Sequence, residues 1–190
     1  MALRTISDFK ARLKGGGARP NLFEVELNFP TGQGIALTGA NNDLDRFLVK
    51  TAALPASNVT PIDVAFRGRV LKIAGDRTFD TWTVTVINDT DFAIRHAFED
   101  WMNKINNVET AQGLTTPGSY YADARVHQLD RDGEKLRTYI FHDVFPTNVS
   151  QIDLSYDTTD TIEEFTVELQ VQWWEAERGN APGAGGDNIK

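Results

Sequence analysis

A mainly β fold, an antiparallel sandwich or barrel with one flanking α-helix, is what this sequence predicts. Three observations point there. Several stretches alternate apolar and polar residues with the period of two that a half-buried strand requires. A single long stretch has helical spacing, and nowhere do strands and helices alternate as a doubly wound parallel sheet demands.

In residues 5–14, Ile6, Phe9 and Leu13 recur at helical spacing with Ser7 as the expected cap, and Gly15, Gly16 and Gly17 end the segment. A short amphipathic helix and a flexible joint follow from this. After Asn21, Phe23, Val25, Leu27 and Phe29 fall on one strand face and Glu24, Glu26 and Asn28 on the other. Residues 30–46, rich in Gly, Thr, Asn and Asp, read as a loop interrupted by Ile35, Ala36 and Leu37. Residues 51–76 carry Pro55 and Pro61 and weak periodicity, which predicts a long excursion with one irregular strand over 64–73.

Trp82, Val84 and Val86 alternate with Thr81, Thr83 and Thr85, so a strand is expected over 79–87. The helix-capping cluster Asn88, Asp89, Thr90 and Asp91 precedes a face of Ile94, Phe98, Trp101 and Ile105, with Ala97 and Met102 beside it. Residues 121–129 and 135–141 flank Asp130, Arg131, Asp132 and Gly133, an Asp-Gly turn that signals a β-hairpin. In the last strand Phe165, Val167, Leu169, Val171 and Trp173 alternate with Thr166, Glu168, Gln170 and Gln172. That pattern sends Trp173 to the core and leaves Trp174 as a surface aromatic, best covered by a neighbouring chain. Residues 179–190 hold four glycines and one proline and predict a mobile tail. The expected division is 1–17 helix and joint, 18–177 β domain, 178–190 tail.

Function classes fall away in turn. The formal net charge of −8 disfavours a nucleic-acid reader, which needs a basic patch. Without cysteine there are no disulfides, thiolate zinc sites or cysteine nucleophiles. No run reaches the roughly 20 apolar residues of a membrane helix, and the start lacks a secretory signal, so cytosolic production without a membrane anchor is expected. His96, His127 and His142 have no metal-ligand spacing and read as surface or packed histidines. The glycines at 15–17, 32 and 34 lack the Lys-Ser/Thr ending of a phosphate loop. No serine elbow or singled-out carboxylate pair anchors catalysis, so neither an enzyme nor a cofactor is expected.

Five segments carry a resemblance: 18–23 (Ala-Arg-Pro-Asn-Leu-Phe), 51–56 (Thr-Ala-Ala-Leu-Pro-Ala), 73–80 (Ile-Ala-Gly-Asp-Arg-Thr-Phe-Asp) running into 82–86 (Trp-Thr-Val-Thr-Val), 145–149 (Phe-Pro-Thr-Asn-Val), and Trp174 with Glu175. In this order, over roughly residues 18–176, the chain resembles the tail tube proteins of contractile-tailed bacteriophages. The resemblance implies a β-sandwich with one helix and hexameric rings whose inner strands join into a barrel. It also implies stacking of the rings into a tube within the sheath, with tail sheath, baseplate and tail terminator proteins as partners. Genomic DNA would pass through the lumen without specific binding, and the protein would reside in the virion after synthesis in the host cytoplasm. Residues 30–49 are longer than the family leads one to expect, and the tail after Glu177 is additional.

The acidity then has two readings, a lumen that repels DNA or simple solubility. Pro55, Pro61, Arg67, Arg69, Lys72 and Trp174 are the candidate inter-subunit or inter-ring contacts. A long loop in a compact domain is seldom idle, and this one is locally basic in an acidic chain. The alternative is a solvated loop whose cations balance nearby carboxylates. Other functional readings are a baseplate or tail-completion protein of the same fold, a secretion-system tube protein, or a monomeric carbohydrate-binding β-sandwich.

Overall fold

The computed structural model describes residues 5–13, 17–30, 48–180 and 188–189. The expected loop over 30–46 with its apolar trio, the glycines 15 and 16, and most of the tail lie outside the described residues. In chain order the elements are α1 (Ile6–Arg12), β1 (Phe23–Leu27), β2 (Val49–Ala52), β3 (Ser57–Phe66), β4 (Arg69–Phe79), β5 (Trp82–Ile87), α2 (Ala93–Ile105), β6 (Ala122–Leu129), β7 (Lys135–Val149), β8 (Glu164–Gln170) and β9 (Trp173–Arg178), with a 3-10 turn at Pro117–Ser119.

Seven strands form one antiparallel sheet in the order β1-β6-β7-β8-β5-β2, with β9 added on β7. Strand β7 belongs to two layers. Its first part lies between β6 and β9, and Phe145 to Val149 pair with β8 instead. The bend between the parts has a local cause. Ala124 faces Phe141 and Ala122 faces Val144, so β7 carries one extra residue, and Asp143 sits there at φ 53. A β-bulge of this kind bends its strand, and Asp tolerates the left-handed region better than most residues. A second register shift follows at Thr147, whose hydroxyl donates to the Glu168 carbonyl at 3.1 Å.

The two layers close on one core in which Trp82 of β5 stacks on Phe141 of β7 with ring centroids 4.7 Å apart. Val84, Val86, Phe165, Val167, Leu169, Val25 and Val126 fill the rest, as the period-two pattern requires. Helix α2 lays Ile94, Ala97, Phe98 and Trp101 onto this core. Phe29 meets Phe98 and Trp101 edge-on at 5.3 and 5.6 Å, and Trp101 Nε1 donates to the Tyr120 carbonyl at 2.9 Å. The indole thus gains burial without orphaning its N–H. Asp89 accepts from the Ala93 amide, which makes use of the capping cluster.

The Asp-Gly hairpin forms as expected. Gly133 adopts φ 84, and the Asp130 carboxylate accepts from the amides of Asp132 and Glu134 at 2.9 and 3.0 Å. The N-terminal helix also forms, but Thr5 caps it rather than Ser7. The Thr5 hydroxyl accepts from the Asp8 amide while the Asp8 carboxylate accepts from the Thr5 amide, a capping box that needs an acceptor side chain three residues on. The Thr5 amide and hydroxyl hold the Asp8 carboxyl below its usual range.

Two further expectations fail. Residues 51–76 are no loop with a single irregular strand: β3 and β4 pair in a long hairpin, and the segment 64–73 spans its turn. Phe66 pairs with Arg69, so Arg67 and Gly68 form a two-residue turn, both at positive φ (46 and 79). Such turns normally advertise themselves as Asn-Gly or Asp-Gly, and arginine hid this one. Pro61 misled as well, for it sits where the register shifts between Val59 and Pro61 and costs the ladder little.

The last strand is not continuous either. The chain leaves β8 after Gln170 and enters β9 at Trp173, changing layers, and the alternation restarts. Trp174 therefore aligns with Phe141 on the core face, and Trp173 pairs with His142 on the outer face.

Candidate inter-subunit surfaces

The β3–β4 hairpin is an arm. Every residue of β3 is exposed, and both strands pair only with each other. The arm is fixed at its base, where the Asp80 amide donates to the Ala56 carbonyl, Asn58 Nδ2 donates to Asp80 at 2.9 Å, and Phe79 meets Trp174 edge-on. Cross-strand pairing places Ile62 with Ile73, Val64 with Leu71 and Phe66 with Arg69, so one face of the ribbon is an apolar stripe left in water. Gly75 permits the close approach of its strands, since a Cβ there would stand 2.6 Å from the Thr60 carbonyl oxygen.

The candidate contact residues separate. Pro61, Arg67, Arg69 and Lys72 all lie on the exposed arm. Lys72 is matched to Asp63 at 2.8 Å, and the Arg67 guanidinium stands 5.3 Å from the centre of the Phe66 ring. Arg69 has no ion-pair partner among the described residues. Pro55 is different: it is buried, just before the first residue of the arm. Trp174 also differs from its expected exposure. It is half-buried against Phe79 and Tyr139, and the exposed indole is Trp173, stacked on His142 at 3.9 Å. The change of layer at residues 171–172, invisible to a period-two count, reverses the two.

A second apolar surface is α1, whose Ile6, Phe9 and Leu13 are all exposed. Patches of this kind on a soluble chain mark places where another surface lands.

The outer face of the β1-β6-β7-β9 layer is polar. Register aligns Glu24, His127, Thr138 and Glu177 in one row and Glu26, Arg125, Ile140 and Glu175 in the next. His127 is buried between the Thr138 hydroxyl (2.9 Å), Glu26 (3.2 Å) and Lys135 (3.1 Å). Burial first, then the Lys135 charge, lowers its pKa, while Glu26 opposes them. His142 lies between Asp123 and Glu175, which address opposite ring nitrogens at 3.6 and 3.4 Å. Among the described residues no group of three His, Asp or Glu side chains could hold a metal ion. No helix among them is long and apolar enough to cross a membrane.

A sandwich that extends an uncovered apolar arm presents the kind of surface that marks structural subunits meeting other chains. The chain is a member of the phage tail tube protein family, whose pattern it matches over residues 18–177. Tail tube protein gp19 of Enterobacteria phage T4 is 37% identical over 166 residues, covering 85% of this chain and 93% of that protein. The tail tube protein of Serratia phage KSP90 is 26% identical over 173 residues, or 88% and 94% of the two chains. Among solved structures, the PVC sheath/tube terminator of an extracellular contractile injection system superposes with a TM-score of 0.61 at 13% identity, covering 85% of this chain and 96% of that one, which shows a shared fold. The chain is thus a structural tail protein of the virion, in the tail tube role.

Proposed function

We propose that this protein assembles into hexameric rings that stack into the inner tube of a contractile tail, and that phage DNA reaches the host through their lumen. The observation that carries the reading is the arm: large apolar side chains stand in water along a ribbon that none of the other described residues covers. A monomer gains nothing from such a surface, whereas burying it between subunits gains about 25 cal/mol per Å². Residues 18–177 are the tube domain, and 1–17 and 178–190 are its flanking segments. Tail sheath, baseplate and terminator proteins are the partners this role requires. The role is mechanical and involves no catalysis. Carboxylates on an inner wall would repel DNA phosphate and keep the duplex from sticking, and Glu24, Glu26, Glu175 and Glu177 offer such a wall on one sheet face.

Electron microscopy of the purified protein tests this directly, with six-membered rings and tubes as the expected result. A strict monomer by light scattering at high concentration overturns it.

A further inference from the structure

The arm needs an acceptor, and the chain supplies one at its opposite end. Residues 150–164 link β7 to β8 and include Asp153, Asp157, Asp160, Glu163 and Glu164 with no lysine or arginine. Three large apolar side chains, Leu154, Tyr156 and Ile162, stand exposed among them. The limbs of this loop, residues 151–155 and 158–164, enclose an open cavity of about 360 Å³.

The loop is firmly held at its base. The Asn88 amide donates to the Glu163 carbonyl at 2.9 Å, the Ser150 amide donates to the Thr166 carbonyl at 2.8 Å, Arg95 donates to the Ser150 carbonyl at 3.2 Å, and Lys50 pairs with Glu164 at 2.5 Å. Of its five acids only Glu164 has an ion-pair partner among the described residues, and Asp157 and Asp160 also lack a side-chain hydrogen bond there.

Arm and loop are complementary in both charge and polarity. The arm carries Arg67, Arg69, Lys72 and Arg77 against Asp63 and Asp76, and its tip joins Arg67 and Arg69 to the apolar stripe ending at Phe66. The loop offers unpaired carboxylates beside exposed apolar groups. Strand β5 keeps them apart within one molecule. The arm enters at its start, with only Asp80 and Thr81 between Phe79 and Trp82, and the loop ends where Glu164 pairs with Ile87 at its finish. Six extended residues separate those points by roughly 20 Å.

We infer that the arm of one copy docks, through Arg67, Arg69 and the apolar stripe, on the acidic 150–164 loop of a second copy. Donor and acceptor on opposite ends of one subunit make a head-to-tail contact, which propagates instead of closing on itself as a two-fold dimer does. Opposite charge also fixes the register and speeds encounter. The inference rests on the self-assembly reading and specifies the partner surface for the arm.

Charge reversal in two separate variants tests it. R67E/R69E has an acidic arm and an acidic loop, whereas D157R/D160R keeps the basic arm and carries basic residues at the unpaired loop positions 157 and 160. All four positions are exposed, and both variants are expected to keep the wild-type circular dichroism spectrum. Each alone should lose tubes at concentrations where wild type forms them. An equimolar mixture should restore tubes, because the acidic positions 67 and 69 of one variant can then meet the basic positions 157 and 160 of the other. High salt should weaken wild-type tubes in the same direction by screening.

Should D157R/D160R alone assemble like wild type, the loop is not the acceptor. Should both variants fold and fail alone, yet the mixture also fail, the pairing is equally overturned. In either case wild-type tubes leave the tube reading standing, whereas absence of wild-type tubes removes that reading itself. If either variant does not fold, oxidation of a Gly68→Cys/Thr158→Cys chain decides: wild type has no cysteine, so assembled tubes should yield a ladder of covalent oligomers. Tubes without a ladder overturn the contact.

Discussion

The sandwich body and the β3–β4 arm are built from the same kind of strand and meet opposite fates. In β5, Trp82, Val84 and Val86 are at most 5% exposed, because a second layer faces them. In the arm, Phe66 is 67% exposed, Leu71 60% and Ile62 54%, though their cross-strand pairing is as regular. Amphipathic alternation states which residues seek cover and leaves open whether the cover comes from the same chain. In the body it does. In the arm no described residue supplies it, so the body's stability is intrinsic, while in the proposed tube the arm's apolar stripe contributes only on assembly.

Truncation in each region is the sharpest way to break that comparison. Trp82→Ala removes a fully buried indole and should cost about 3–5 kcal/mol in urea unfolding. Phe66→Ser with Leu71→Ser should move monomer stability by about 0.5 kcal/mol or less, the usual range for exposed sites, while abolishing tubes. If the arm double variant unfolds as easily as Trp82→Ala, the arm is part of the folding unit and the contrast is lost.

A smaller effect comes from His127, a titratable group that the body buries. Its folded pKa lies below the ordinary 6.5, so below that pH the unfolded chain binds a proton more readily than the folded one. Stability should be full above about pH 6.5 and fall as pH drops through that value toward the folded pKa. His127→Gln should flatten this fall in denaturation midpoints measured across the window. An unchanged slope would assign the acid sensitivity to other groups.

The smallest change is expected from deleting residues 180–190. The amides of Ile189 and Ala176 each donate to the other's carbonyl at 2.8 and 3.1 Å, and Arg178 donates to the Asn188 side chain, so the end of the tail is tethered to β9. Little apolar surface accompanies these bonds, and deletion should leave the melting temperature nearly unchanged with tubes intact. Loss of tubes would make the tail part of the assembly.

Much of the body was legible in advance. Helix α2, strand β5 and the Asp-Gly hairpin each combine a strong period with its own punctuation, and local rules suffice there. The arm was concealed by Arg67 at a turn position that prefers Asn or Asp and by Pro61 inside a strand. Trp173 and Trp174 exchanged roles because alternation was counted across a change of layer. The acidic loop gave no periodic signal, and its place opposite the arm depends on a pairing between residues 87 and 164 that are distant in sequence.

By itself the sequence determined the element types, the apolar residues that need cover, the absence of thiol chemistry, and a set of ordered segments specific enough to indicate the family. Only the tertiary structure decided which apolar residues find cover within the chain, which tryptophan faces outward, and that the basic arm and the acidic loop stand at opposite ends of β5. The physical reason is that periodicity is a property of neighbours along the chain, fixed by backbone geometry over a few residues, whereas burial and the juxtaposition of charges depend on which distant strands pair.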